Sequence, residues 1–254
     1  MRILCVYMDA ESAKDSPVHN KTFSILRRYG VLRIINRERM KPVSGFDLVV
    51  SLGGDGTFLK ASRYIEDTPL LGMNRSPKEK EGFYTRANLS TLDERMRQFI
   101  QKKHTIIPLV RLQATLGKKQ LPLALNEYFI GAKTSYHSAK YRMCVGNKKE
   151  VQKSSGFLVA TPSGSHAWYS SMGGVPIDFA EKKIVYMTRE PYCGKTITCN
   201  LKQGTCSLRQ SIGVTYLLKF GGIVVVDSHE CFPIKMNQTV HISASNKRLN
   251  WVTF

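Results

Sequence analysis

The stretch that most restricts how this chain can fold is residues 46–60, FDLVVSLGGDGTFLK, where an apolar run meets a glycine-rich turn and then a helical pattern. Phe46, Leu48, Val49, Val50 and Leu52 form a nearly continuous hydrophobic segment, as expected of a strand buried on both faces. Gly53, Gly54 and Gly56 follow, and glycine admits backbone angles that other residues avoid and lets a ligand approach bare main chain. Phe58, Leu59, Ser62 and Ile65 then share one side of a helix, so the free N–H groups at its start point back toward the turn. That succession makes a phosphate-binding cradle. Asp55 sits inside it, where its charge repels a phosphate, so it needs another task. Taking the proton from an attacking hydroxyl in phosphoryl transfer is one. The plainer alternative is a strand-to-helix turn whose Asp caps the helix.

The flanking pattern supplies a sheet for this turn. Residues 3–8 read as a first buried strand leading straight from Met1 with no targeting segment, 9–17 as a polar loop, 22–29 as a helix, and 31–35 and 70–73 as further short strands. Strands alternating with helices argue for a parallel, Rossmann-like sheet. Ser90 with Asp93 resembles a capping box, and Leu92, Met96, Phe99 and Ile100 repeat at helical spacing after it. A domain boundary is expected there, giving a first domain over 1–103. Beyond His104 the period changes: residues 106–112, 121–130, 141–145, 157–160, 184–188, 196–200, 223–227 and 240–243 read as strands between turn-rich segments. One helix is expected from near Ser165 through Trp168 and Met172. The fold class is therefore α/β, a Rossmann-like N-terminal domain with a β-rich C-terminal domain over 104–254, the last residues returning to the first.

Two further constellations carry chemistry. Asn126 and Glu127 lie within an otherwise apolar strand, where two adjacent polar side chains cost free energy unless partnered. A hydrogen bond across the sheet would satisfy them, and so would a ribose or a base edge. Residues 153–174, KSSGFLVATPSGSHAWYSSMGG, run from a strand into Thr161, Pro162, Ser163, Gly164 and Ser165, a turn dense in hydroxyls and backbone donors. It reads as a second anion-binding nest, with a plain loop as the alternative.

Composition narrows the partners. In 254 residues there are 38 Lys and Arg against 19 Asp and Glu, a formal charge of +19 that favours polyanions such as nucleotides, polyphosphate or nucleic acid. The basic residues are scattered, and no nucleic-acid-binding module is recognisable, so nucleic acid is not the expected partner. The six cysteines form no CxxC pair, which predicts reduced thiols in a cytoplasmic protein, and Cys193, Cys199, Cys206, His229 and Cys231 match no common zinc spacing. No apolar stretch approaches the ~20 residues of a membrane span.

GGDGT at residues 53–57, the Asn126 and Glu127 pair and ATPSGSHAWYSSMGG at 160–174 resemble the NAD kinase family in order and spacing, over most of the chain. GGDGT alone also occurs in lipid kinases of the same superfamily. The resemblance implies transfer of the γ-phosphoryl group of ATP, or in some members polyphosphate, to the adenosine-ribose 2′-hydroxyl of NAD, giving NADP. Mg²⁺ would arrive on the nucleotide, with no metal ligand from protein side chains. It further implies that Asp55 is the base, that Gly53, Gly54, Gly56 and Thr57 form the phosphate side, and that Phe83 packs near the adenine. Asn126 and Glu127 would hold the nicotinamide-side ribose, and Ala167, Trp168 and Ser171 would contact the adenine and the sugar hydroxyls. A homodimer or homotetramer is implied as well.

The departures are similar to the divergent branch that includes mitochondrial NAD kinases of animals. Most members carry Asp at Ser155, Thr at His166 and Tyr at Trp168, and a C-terminal helix is absent after the last strand. Ser155 removes a carboxylate from the nicotinamide side, which implies weaker discrimination between NAD, NADH and smaller nucleosides, and His166 could contact an acceptor phosphate. Two alternatives stand beside this reading: a GGDGT kinase acting on a nucleoside, sugar or other hydroxyl acceptor, and a nucleic-acid-binding protein on a degenerate kinase fold.

Overall fold

The computed structural model describes residues 1–8, 17–195 and 197–254, so the polar loop expected over 9–17 lies, apart from Pro17, outside the described residues. The chain divides into two compact units, Met1–Leu109 with Lys247–Phe254, and Val110–Asn246.

The first unit runs β1 (Arg2–Tyr7), α1 (Pro17–Arg27), β2 (Val31–Asn36), β3 (Leu48–Gly53), α2 (Asp55–Ser62), β4 (Leu70–Asn74), β5 (Thr85–Asn88), α3 (Leu92–Ile100) and β6 (Thr105–Leu109), closed by a returning strand, Leu249–Thr253. The order across the sheet is β2, β1, β3, β4, returning strand, β6, with β5 also on β4. The strands β1 to β5 pair in parallel. Every residue of β3 and of β4 is buried, which is why their sequences are apolar without alternation. Pro17 opens α1, where its missing N–H costs nothing, and His19, Thr22, Phe23 and Leu26 make its buried stripe.

Two local expectations differ from the structure. The capping box at Ser90 and Asp93 does not form: the Asn88 carboxamide oxygen accepts the N–H groups of Ser90 and Thr91, at 3.0 and 3.1 Å, and Asp93 pairs with Arg28 and Arg97. The division between units falls after Leu109 rather than after residue 103, because β6 pairs antiparallel with the returning strand, Thr105 opposite Thr253 and Leu109 opposite Leu249. The return to the first unit is thus made by a strand. Trp251 anchors it: the indole is fully buried, donates to the Tyr84 carbonyl oxygen at 3.0 Å, meets the Tyr84 ring edge-on, and carries the Arg86 guanidinium 4.2 Å from its ring centre.

The second unit holds β7 (Leu112–Leu116), β8 (Lys119–Gln120), β9 (Glu127–Gly131), β10 (Ala139–Val145), β11 (Lys148–Ser154), β12 (Gly156–Ala160), α4 (Trp168–Ser171), β13 (Lys183–Arg189), β14 (Gln203–Ser207), β15 (Ser211–Tyr216), β16 (Gly222–Val226), β17 (Glu230–Ile234) and β18 (Thr239–Ala244). They form two antiparallel six-stranded sheets, β11-β10-β15-β18-β7-β8 and β14-β13-β12-β9-β16-β17. Alternate residues fill a core shared by both sheets, Tyr141, Val214 and Ile242 from one and Tyr128, Phe157 and Val224 from the other. The intervening residues Phe129, Leu158 and Val185 face the opposite way and are covered by Trp168 and Tyr169 of α4.

Here too the expectations need correcting. The strand expected over 121–130 begins only at Glu127, so Asn126 and Glu127 stand at its entry, not its middle. The helix expected from Ser165 is a 3₁₀ turn, Gly164–His166, followed by the single turn of α4. Of the strand expected over 196–200, residue 196 lies outside the described residues and Ile197 makes one bridge, to Gly194. The thiols of Cys193 and Cys199 are not reduced but joined in a disulfide, their Cα atoms 5.7 Å apart.

Trp251→Ala should destabilise the first unit by about 3–5 kcal/mol, since it deletes a buried ring, a hydrogen bond and a cation–π partner together. Chemical denaturation followed by tyrosine and tryptophan fluorescence reads this, and a loss below about 1 kcal/mol would contradict the anchoring role.

Candidate functional site

In the first unit the turn after β3 stands at the carboxyl end of the sheet, beside the point where strand order reverses between β1 and β3. Open α/β sheets place ligands in that crevice. Gly53 ends β3, Gly54 caps α2, and Asp55, Gly56 and Thr57 make its first turn. None of the three glycines has a left-handed φ, so backbone angle does not explain them. Space does at Gly53: a Cβ there would lie 2.3 Å from the Thr57 hydroxyl oxygen, and Thr57 is buried over it. The Thr57 hydroxyl finds no hydrogen-bond partner among the described residues, and its N–H donates to the Gly54 carbonyl oxygen at 3.0 Å. Lys80 runs beside the turn, its Cδ 3.4 Å from where a Gly54 Cβ would be.

Asp55 is half-buried and held from outside its helix. The N–H of Phe83 donates to one carboxylate oxygen at 2.9 Å and the N–H of Tyr84 to the other at 2.8 Å. A carboxylate offers about four acceptor positions, so two remain for other partners. The loop that delivers these donors is fastened in turn. Asn74 at the end of β4 donates to the Lys80 carbonyl oxygen at 2.8 Å and accepts the Ser76 N–H at 3.0 Å. Gly82, with φ +70, turns the chain into Phe83. Arg86 donates to the carbonyl oxygens of Phe83 and Thr85. Burial lowers its pKa, and the charge of Asp55 works against that shift.

In the second unit Asn126 and Glu127 are both buried, and the carboxylate that organises them comes from far along the chain. Asp227, at the tip of the β16–β17 hairpin, accepts the N–H groups of Leu125, Asn126 and Glu127 at 3.2, 2.8 and 3.2 Å. Its own N–H donates to the Glu127 carbonyl oxygen at 3.0 Å. Asp227 and its neighbour Ser228 both adopt left-handed backbone, φ 46 and 55, and the Ser228 hydroxyl donates to Glu127 Oε1 at 3.3 Å. Glu127 Oε2 has no hydrogen-bond partner among the described residues. Burial first, and then the charge of Asp227, push the Glu127 carboxyl up to about 8, with the Ser228 hydroxyl opposing. Sequence reading missed Asp227 and Ser228; an Asp-Ser pair after the apolar run 222–226 was the available sign of a tight turn.

The segment after β12 behaves differently from the expected anion nest. The hydroxyls of Thr161, Ser163 and Ser165 are buried and spent inside the protein. Thr161 and Ser163 donate to the Leu125 carbonyl oxygen at 2.6 and 3.2 Å, Thr161 accepts the Gly164 N–H at 2.8 Å, and Ser165 links Pro162 to Ile177. Gly164 packs against Asn126, where a Cβ would sit 2.0 Å from the carbonyl oxygen. This turn is therefore a clamp on residues 125–127. Beyond it Ala167 is half-buried and Trp168 stacks on Phe129 at 4.7 Å. Trp168 and Ser171 line a cleft of about 500 Å³ with Met172, Thr188, Arg189, Glu190 and Pro191.

Ser155 donates its hydroxyl to the Glu190 carboxylate. Glu190, directly after β13, thus places a carboxylate beside Ser155. His166 bonds the Ile177 carbonyl oxygen at 3.2 Å and packs on Phe179, and it does not line the cleft that Trp168 and Ser171 share.

Residues 6–104 match the family profile of the ATP-NAD kinase N-terminal domain. A probable NADH kinase of Oryza sativa subsp. japonica is 27% identical across 94% of this chain and 81% of that protein. An NAD kinase of Bacteroides fragilis is 33% identical, across 56% of this chain and 50% of its own length. The fold is that of an NAD kinase from Archaeoglobus fulgidus solved in complex with ATP, with TM-score 0.78 and 21% identity over 100% of this chain and 93% of that one. It is equally that of a yeast NADH kinase complexed with NADH, with TM-score 0.81 and 16% identity over 100% and 83%. Sequence relatives along the chain and the fold of both units agree, and what the chain is similar to over most of its length is the NAD kinase family of phosphotransferases.

Proposed function

We propose that the chain transfers the γ-phosphoryl group of ATP to the adenosine-ribose 2′-hydroxyl of NAD or NADH, with Asp55 as general base. The observation that carries this reading is the Asp55 carboxylate itself. It is half-exposed at the start of a helix that follows a buried strand, and it is aimed by two main-chain N–H groups rather than spent as a helix cap. In this reading the first-turn main chain of α2 and Lys80 receive the phosphates, and positioned charge does most of the catalytic work, as phosphoryl transfer requires. Polyphosphate would suit the same turn as donor.

Mg²⁺ would arrive as part of the donor nucleotide, held by its phosphates. Asn126 and Glu127 would hold the acceptor ribose, whose hydroxyl supplies the partner that Glu127 Oε2 lacks, and the indole of Trp168 would wall the acceptor's ring system.

Steady-state transfer from MgATP to NAD, NADH and a panel of nucleosides tests this directly. Asp55→Asn should lower kcat by about 10²–10⁴-fold while leaving the KM values nearly in place. An Asn variant as active as wild type would remove the base, and phosphorylation of nucleosides but not NAD would exchange the acceptor.

Glu190 offers a finer test, because a carboxylate beside the aromatic wall of Trp168 favours a cationic nicotinamide over its neutral dihydro form. Glu190→Gln should reduce the NAD over NADH ratio of kcat/KM by about two- to fivefold; an unchanged ratio would place the nicotinamide elsewhere.

Burial of Glu127 also carries a stability signature. Its folded-state pKa is raised, so the native protein keeps a proton that the unfolded chain releases. Its contribution to stability therefore falls as pH rises from the ordinary carboxylate range toward about 8, by up to about 1.4 kcal/mol per pH unit. Urea unfolding of wild type and Glu127→Gln from pH 5 to 8 should show this slope in wild type and its loss in the variant.

A further inference from the structure

The main chain of Leu125, Asn126 and Glu127 is fully engaged. Its N–H groups all donate to Asp227; the carbonyl of Leu125 accepts from the Thr161 and Ser163 hydroxyls, that of Asn126 from the Thr161 N–H at 2.9 Å, and that of Glu127 from the Asp227 N–H at 3.0 Å. Asp227 lies about a hundred residues away in sequence and is 1% exposed, so it is out of a ligand's reach while gripping every donor of the segment. Charge-assisted bonds to main-chain N–H groups are among the stronger hydrogen bonds in proteins, and three on one carboxylate fix a segment's orientation as well as its place. With the main chain consumed in this way, the side chains of Asn126 and Glu127 are what the segment can present.

We propose that Asp227 is a positioning residue for acceptor binding: it locks residues 125–127 so that the Asn126 and Glu127 side chains stand where the ribose of the acceptor meets them. This rests on the reading of Asn126 and Glu127 as acceptor contacts. Asp227 acts on Glu127 in a second way, through charge. The groups facing the Glu127 carboxyl are the Asp227 carboxylate and the Ser228 hydroxyl, both on the hairpin tip. Ala160, its partner on β12, is uncharged, and the His229 ring is tied to the Asp227 carbonyl oxygen. Asp227→Asn keeps the shape and one acceptor oxygen but removes the charge and the second acceptor, turning an amide N–H₂ toward a main-chain N–H, so the grip is weakened and the field is lost.

The full chain carries the test, with KM for NAD and for ATP and kcat measured from pH 6 to 9 in wild type, Asp227→Asn and Glu127→Ala. Asp227→Asn should raise the KM for NAD about tenfold or more, change the KM for ATP by less than about threefold, and move the pH midpoint of the NAD KM downward. A loss of kcat with both KM values and the midpoint unmoved would mark a merely structural residue and overturn the proposal. So would an unchanged KM for NAD in Asp227→Asn when Glu127→Ala raises it. If Glu127→Ala also leaves that KM unchanged, the acceptor-site reading itself falls and takes the proposal with it. Hydrogen exchange in the wild-type protein covers the case in which Asp227→Asn does not fold. The amides of Leu125, Asn126 and Glu127 should be as protected as those of β9 and β12, and rapid exchange would overturn the proposed lock.

Discussion

Burial on both faces is the constraint from which the first unit follows. With β3 and β4 covered on either side, neither strand can present a polar side chain to solvent along its length, and the first place the chain can offer chemistry is the end of the strand. There the sheet stops and a helix begins, where the opening N–H groups of a helix have no carbonyl four residues back to pair with. The charged residue at that junction is aimed by the loop after β4, which the Asn74 carboxamide and Gly82 hold in shape. Strand, turn and loop thus form one device, and loosening the loop would leave Asp55 in place but without direction.

The second unit solves a different problem with polar groups. Its two antiparallel sheets share an apolar core, so hydroxyls and carboxylates that fall inside must find main-chain partners. Thr161, Ser163 and Ser165 do this at the end of β12, Asp227 does it at the β16–β17 tip, and Glu150 accepts the N–H groups of Asn200 and Leu201 at 2.8 and 2.7 Å to hold the loop before β14. Thr161, Ser163 and Ser165, which resemble ligands in the sequence, spend their hydroxyls on fastening the chain.

That difference explains how much was legible in the sequence. The strand, GGDGT and helix succession could be read because each part has a local cause: apolar run, small residues, helical spacing. The parallel sheet and the β-rich remainder followed from the change of period near His104. Hidden were the effects of long-range pairing. The boundary moved because β6 finds its partner in the returning strand, and the strand at Glu127 starts late because Asp227 pins the residues ahead of it. Of the two reasons read for the glycines of the turn, the left-handed angle does not apply, and at Gly53 crowding by Thr57 is what excludes a side chain. Glu190 was invisible because nothing in its sequence neighbourhood ties it to Ser155.

The hairpin tip at Asp227 and Ser228 puts two consecutive non-glycine residues in left-handed backbone, a conformation that costs on the order of 1 kcal/mol each. Glycine would adopt the angles of residue 228 freely. It would also delete the hydroxyl that steadies the Glu127 carboxylate, so relief of the turn and control of that charge are exclusive alternatives at one position. This corner holds a reserve of stability that the chain cannot draw on without changing the proton affinity of a buried acid.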